Sequence, residues 1–544
     1  MSEASAKEFA ALGSGQRESA ERQAGTRRAM LQVAVSLFVA MALTYIFTME
    51  GRTGSDGYYP YETARSLYDH GWYDLLPGTD TAGTVAGLGG KHYSIYGPLQ
   101  PLVSVPLYAL GAFLAAMTRR DPGMVTQAAV SLLNPLATAL LVALVFLYVA
   151  ALGARVRTAA LVAIILAFAS PLWVNSRQYM SEPLFTLLFF GAFLAARAVG
   201  KRPNPMAPAV LSGVLAGLMT GQRENGIVLV PLIGLYAAAA AAANSDGGSR
   251  KTQVWQAVVG FSAGAILLLG AVAYLNWARF GSPLKTGYHE ACPTFSSCFQ
   301  LSTLPEGISG LLFSPGRGLF WFWPLAFVAA AGWRRFHRVH PFDSWFILAS
   351  FLAMLFLFGG WFSWMGGTFR GPRFLLPITP WLAATLYPLI EDPGAAGKWG
   401  RRAIAVLAGY GLALQLLQVV LAPIQVNVDW RERHLPELTP QQALADTRDV
   451  WSWETFPLYA EVQSFRLCLA HRSDPSSDDP SHYPHKFDLW FQNAARKGVS
   501  TKALALLALA VITAAGWAWM RFAKALASAT APAEHSALHS APPP

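Results

Sequence analysis

Charge is scarce in this chain: Asp, Glu, Lys and Arg make up 13% of its 544 residues, against roughly a quarter in ordinary soluble domains. With 53% of the residues apolar, that shortage excludes a solvated globular protein. Cysteine is almost absent. Three in the whole chain exclude a disulfide scaffold, and their spacing matches no metal motif. No Gly-rich nucleotide loop, Walker sequence or His-rich cluster is present, so the chain is not built for ATP or NAD. Its first 28 residues are polar and lack a short apolar core with a cleavage site, so residues 29–48 read as an uncleaved first span. No internal repeat is visible.

What is present is a series of apolar blocks, each near the 20 or so helical residues that cross a hydrocarbon core. Lipid leaves open backbone groups without partners, so many such blocks mean a helical bundle. The net charge of +10 does not point to nucleic acid, because the cations sit in short loops beside the apolar blocks. There they set topology by the positive-inside rule. These clusters are Arg27 and Arg28; Arg155 and Arg157; Lys201 and Arg202; Arg250 and Lys251; Arg334, Arg335 and Arg338; Lys398, Arg401 and Arg402; and Arg521 and Lys524.

The expected fold is an all-α polytopic membrane protein of about twelve spans (roughly 11–13). After 29–48 they fall near 127–150, 158–174, 183–200, 207–222, 226–243, 254–275, 318–333, 343–360, 374–391, 403–423 and 501–520. An even number returns the C-terminus to the cytoplasm. The apolar stretch 97–117 is the difficult case, because an ordinary crossing there inverts the clusters at 155, 201, 250, 334 and 398. With Pro98, Pro101 and Pro106, it reads as a re-entrant or interfacial segment of the outer loop, at the cost of placing Arg119 and Arg120 outside. The alternative makes it a span and merges 207–243 into one crossing, which still inverts 155 and 201.

The domain plan follows from this threading. Residues 1–28 form a cytoplasmic N-terminal segment, 29–423 a transmembrane domain whose first outer loop is 49–126, and 424–500 an extracytoplasmic excursion. Residues 501–520 are the last span and 521–544 a disordered cytoplasmic tail. The excursion carries 19 charged groups in 77 residues, a water-exposed composition. Its Pro-rich and Ser/Asp-rich stretch at 473–484 suggests a loop-rich cap. Cys292 and Cys298 share an outer loop, where an oxidising exterior allows a disulfide; two free thiols are equally compatible.

Ionisable groups crowd one surface of this threading. Groups so close to hydrocarbon are costly and point to function. Asp56 follows the first span in Gly54-Ser55-Asp56-Gly57-Tyr58-Tyr59, also good turn chemistry. Glu182 opens Ser181-Glu182-Pro183-Leu184; Arg223 and Glu224 lie in Gly221-Gln222-Arg223-Glu224-Asn225; Arg317 lies in Ser314-Pro315-Gly316-Arg317-Gly318; and Arg370 and Arg373 lie in the glycine-rich turn 364–373. Arginine forks beside glycines suit a phosphate-bearing ligand, and an opposing acid can take a proton from a hydroxyl. Each arginine taken singly also fits a lipid-headgroup anchor. Aromatics such as Trp361, Trp364, Trp321 and Trp323 fit an interfacial belt, with some available to line a substrate groove.

The order of these pieces resembles the GT-C superfamily of polytopic glycosyltransferases, specifically bacterial relatives of protein O-mannosyltransferases and lipid A aminoarabinose transferases. The matching pieces are the first span followed by Asp56 with Tyr58 and Tyr59, then Tyr93-Ser94-Ile95-Tyr96-Gly97-Pro98-Leu99, then Ser170-Pro171-Leu172 and Ser181-Glu182-Pro183-Leu184, and the late arginine-bearing turn from Gly366 to Arg373. The resemblance implies inverting transfer of a sugar from a polyprenyl-phosphate-linked donor to an envelope acceptor, on the outer face of a bacterial inner membrane. Asp56 would be the general base and Glu182 a second catalytic acid. The donor phosphate would be held by Arg370, Arg373, Arg223 and Arg317, and the substrate lined by Tyr58, Tyr59, Tyr96 and Trp364. The chain departs from the family's paired acid, because Gly57 follows Asp56. A divalent metal is compatible with the sequence and not required by it. Expected partners are membrane lipid and the lipid-linked donor, with no nucleic acid; the oligomeric state is not read from sequence. The competing readings are a transporter or lipid flippase, which would place charges near the bilayer midplane, and a non-catalytic envelope scaffold docking through 424–500.

Overall fold

The computed structural model describes residues 3–79, 83–243, 250–290, 292–367, 369–422, 425–437, 446–470 and 487–530. It shows an all-α polytopic membrane protein. Among the described residues the sheet is one short antiparallel pair, Thr84–Ala86 with His92–Ser94. Among the described residues, ten helices are long and apolar enough to cross a membrane. Their outward faces carry large apolar side chains such as Leu267 (68% exposed), Leu506 (69%) and Leu509 (59%), as a lipid-facing surface requires.

Nine of the ten helices coincide with expected spans, and the tenth is Leu99–Thr118. The remaining expected spans are shorter or broken. Val156–Ala169 and Met206–Gln222 have 14 and 17 residues. The block 318–333 is interrupted at Pro324, which lacks the N–H a continuous helix needs, leaving Leu319–Phe322 and Leu325–Val339. The last helix, Thr501–Thr530, runs ten residues past the expected end of the span at 520 and buries Phe522 there. Residues 531–544 and the stretch 473–484 lie outside the described residues. At the other end, one helix spans Glu3–Thr48.

Leu99–Thr118 and Pro122–Val130 form an antiparallel pair. Gly111 abuts Thr126 and Ala129, while Tyr108 shares a cluster with Val130. Both ends of the pair return to one side of the bundle. Gly97 lies against the carbonyls of Gly221 and Gln222, with no room for a Cβ, and Asn134 donates to the carbonyl of Met180 at 2.8 Å. Those partners flank Arg223 and Glu182.

Candidate functional site

Asp56 stands in a single 3-10 turn, Ser55–Gly57, that leads into the helix Tyr58–His70. The turn lies against residue 179: a Cβ on Gly57 would collide with the carbonyl oxygen of Tyr179. No side chain larger than hydrogen fits at position 57. Glu182 occupies the first turn of Ser181–Val199, where the helix dipole favours a carboxylate. Arg223 follows the last residue of Met206–Gln222, and Arg373 opens the 3-10 helix Arg373–Ile378. Four separate segments thus deliver two acids and two arginines.

The four charges form a chain. The Nη1 of Arg373 donates to Asp56 Oδ2 at 2.7 Å, and its Nε lies 3.8 Å from Glu182 Oε1. That same oxygen accepts from Arg223 Nη1 at 2.6 Å. Phe374 lies beside both guanidinium groups, 5.4 Å from that of Arg223 and 5.2 Å from that of Arg373, and stacks on Phe358 at 4.4 Å. Such cation–π seating fixes both forks. Exposure is graded along the chain: the Asp56 side chain is 32% exposed, Arg373 12%, Arg223 17% and Glu182 2%. Glu182 is therefore the buried anchor of the arginine pair, and Asp56 is the carboxylate that solvent reaches.

Tyr96 adjoins Asp56 and leads a row of three tyrosines. The Tyr96 hydroxyl faces the Asp56 carboxylate and favours the ionised form; Tyr59 stacks on Tyr96 with centroids 6.2 Å apart, and Tyr58 meets Tyr59 edge-on at 5.4 Å. Although a third of the Asp56 side chain meets solvent, surrounding protein by itself would raise its pKa. The charge and hydrogen bond of Arg373, the Tyr96 hydroxyl and the charge of Arg223 outweigh that, and hold the carboxyl below the usual aspartate value. Burial, then the neighbouring carboxylate of Asp56, keeps Tyr96 protonated and a donor.

Arg317 and Arg370 belong elsewhere. Expected to bind donor phosphate, both are buried with their donors turned into the protein. Arg317 donates to the carbonyls of Met365 at 2.9 Å and Gly367 at 2.7 Å, and lies 4.0 Å from Asp449. Arg370 donates to the Thr455 carbonyl at 3.0 Å and faces Glu461 at 3.2 Å. A buried guanidinium already paired with a carboxylate has no reason to leave it, so these two hold the glycine-rich turn in shape. Trp364, expected to line the substrate, is also corrected: it is 2% exposed within the main core, its ring filling the space beside Gly310. Trp323, expected in the belt, is fully buried.

Other neighbours were not found from sequence. Burial pushes Tyr288 up to about 12, against the opposing charges of Arg223 and Arg373 and with the carboxylate of Asp56 adding to the rise; nothing distinguishes it in a chain with 18 tyrosines. Cys292 and Cys298 are disulfide-bonded, closing the loop that carries Tyr288 against the segment leading to the glycine-rich turn. Phe299 bridges to Trp361, and the Phe362 N–H donates to the Cys298 carbonyl at 2.8 Å. Gly366 (φ 74°), Gly367 (φ 71°) and Gly371 (φ 82°) then give this turn left-handed positions that other residues disfavour. Among the described residues no group of three or more His, Cys, Asp or Glu forms a metal cluster.

No protein-family model matches the chain, and no curated protein does. Among solved structures it is similar to ArnT from Cupriavidus metallidurans bound to undecaprenyl phosphate, at 15% identity, 83% coverage of each chain and a TM-score of 0.45. Against the apo state of ArnT the identity is 15%, with 78% of this chain and 76% of that chain covered and a TM-score of 0.45. For an Archaeoglobus fulgidus oligosaccharyltransferase in the apo form the values are 12% identity, 84% of this chain, 60% of that chain and a TM-score of 0.41. These are loose likenesses in overall shape, and the functional reading rests on the site residues themselves.

Proposed function

We propose that the chain is a GT-C-type membrane glycosyltransferase, moving a sugar from a polyprenyl-phosphate-linked donor to an envelope acceptor on the outer face of a bacterial inner membrane, with inversion. The observation that carries this reading is the solvent-reached carboxylate of Asp56 beside the paired forks of Arg373 and Arg223. The acceptor hydroxyl attacks the anomeric carbon while Asp56 takes its proton. The bond from that carbon to the phosphate oxygen breaks, and the lipid phosphate leaves with the bonding pair. Arg373 and Arg223 face the charge that grows on this leaving group, usually the largest catalytic contribution. Tyr58 and Tyr96, both partly exposed, supply aromatic faces for the sugar, while Tyr59, expected beside them, is buried between Gly83 and Tyr96 and backs the Tyr96 ring. Glu182 holds the two arginines at the correct spacing, and its burial puts it out of reach of an acceptor.

The resemblance of the ordered motifs supports the donor class, and the grouping of charges at one end of the bundle favours a surface reaction over a transport path. Asp56→Asn keeps the shape and removes the base, so turnover of a purified lipid-linked donor is expected to fall by roughly 10²–10⁴-fold with insertion unchanged. Normal activity in that variant would sink the assignment. Comparing envelope lipids and glycans from cells with and without the gene identifies sugar and acceptor together.

A further inference from the structure

Two buried clusters outside the site tie it to the outer excursion. Residues 49–52 lead directly into the Asp56 turn and are held by the chain returning from the excursion. The Trp490 N–H donates to the Met49 carbonyl at 3.0 Å, and Asn493 Nδ2 donates to the Glu50 carbonyl at 2.9 Å. Asp488, with no exposed side-chain surface, lies 3.2 Å from Arg52 Nη2 and 3.3 Å from Arg177 Nη2, and accepts from Asn493 at 3.0 Å. Arg177 stands two residues before Tyr179, whose carbonyl abuts Gly57, and accepts the Glu50 N–H on its own carbonyl at 3.0 Å. Gly51, at φ 68°, leaves the space that Trp490 occupies.

The second cluster grips the turn that carries Arg373. Glu461 faces Arg370 at 3.2 Å and accepts from Gln418 at 3.2 Å. Thr455 accepts from Arg370, and Asp449 lies between Arg431, at 3.1 Å, and Arg317, at 4.0 Å. The Gly316 N–H donates to the Val450 carbonyl at 2.9 Å. Both arms of the Asp56–Arg373 pair are therefore fixed, within a few residues, by ion pairs from the same excursion.

We propose that the outer excursion is a brace that sets the separation of Asp56 and Arg373, with Asp488 and Glu461 as positioning residues on its two sides. The catalytic meaning of that separation rests on the glycosyltransferase reading; the brace itself does not. A small error in the placement of a base costs up to about 10²-fold in rate, so an ion-paired strap on each arm is where catalytic geometry would be held.

The test uses the full-length protein in lipid nanodiscs, spin-labelled at Gly54→Cys and Phe362→Cys, two exposed positions on the two arms, with the distance distribution read by pulsed EPR. Asp488→Asn and Glu461→Gln keep side-chain shape and remove one charge of each cluster. The expected result is a broadened distribution in each, with kcat falling roughly 10–100-fold and KM for the lipid-linked donor changing by less than about threefold. If a charge variant fails to accumulate, Asn493→Ala removes the hydrogen bonds to Asp488 and to the Glu50 carbonyl without deleting a charge and is read in the same way, with broadening expected. Distributions as narrow as the parent's overturn the brace, whatever happens to activity. Broadening with no detectable transfer in the parent would keep the brace and sink the glycosyltransferase reading instead.

Discussion

Arg373 has two carboxylate neighbours, Asp56 at 2.7 Å and Glu182 at 3.8 Å, so the fork that would meet a phosphate also sets the state of the base. Its charge, its hydrogen bond and the Tyr96 hydroxyl overcome burial and lower the Asp56 pKa, leaving the carboxylate ionised and ready to accept a proton at neutral pH. Tyr96→Phe removes one of the lowering contacts and leaves burial in place, so the Asp56 pKa rises toward the ordinary aspartate value. The acid limb of the kcat/KM profile, which reports the free enzyme, is expected to move to higher pH in this variant, with the alkaline limb unmoved. An acid limb at the parent's pH would show that Tyr96 does not bear on the base. At this scale the sequence marked Asp56, Glu182, Arg223 and Arg373 as ionisable groups beside apolar blocks, and the fold brings the four into one chain of charges in which Glu182 is buried. The sequence was a poor guide for Arg317, Arg370 and Trp364, because an arginine beside a glycine looks the same from sequence whether its partner is a ligand or a carboxylate more than 80 positions away.

Among the elements, the loop around the disulfide shows how a covalent link supports the site. Cys292 and Cys298 are six positions apart, and loop-closure entropy for so short a ring gives about 2 kcal/mol. The bond also fixes the stretch that pairs with residues 360–362 ahead of the glycine-rich turn. Cys298→Ser is therefore expected to lower the melting temperature by a few degrees, for about 2 kcal/mol lost, and to raise KM for the donor through the displaced turn and Tyr288. Thermal unfolding of the purified variant with donor titration checks both; an unchanged melting temperature would rule out the bond as a brace of this loop. Sequence alone left disulfide and free thiols equal, since spacing does not say whether two Cβ atoms face each other. Helix breaks were similarly hard to read: the block 318–333 has the apolar content of a span, but Pro324 divides it.

On the scale of the whole molecule, the pair Leu99–Thr118 and Pro122–Val130 decides how the chain is threaded. Its ends meet residues flanking Glu182 and Arg223, so the pair leaves the site's side and comes back to it. We propose that it remains in the outer half, with Arg119 and Arg120 at its tip facing outward. A single cysteine at Arg119, a left-handed and exposed position, is then expected to react with a membrane-impermeant maleimide added to intact spheroplasts. Labelling only after permeabilisation would make this stretch a true span and invert the loops that follow.

The sequence by itself determined the solvent and the repertoire. Long apolar blocks and sparse charge specify a helical membrane protein because lipid leaves backbone groups no other partner, and acids and arginines beside those blocks mark the expensive positions. Tertiary structure decided which of them share a site. Asp56 and Arg373 are 317 positions apart and Arg177 and Asp488 are 311 apart. Hydropathy is a local property of the chain, whereas an ion pair exists only once folding has brought its two ends together. For the same reason the excursion looks, in sequence, like a solvated cap, and only its buried contacts with both arms of the site show it as a support for them.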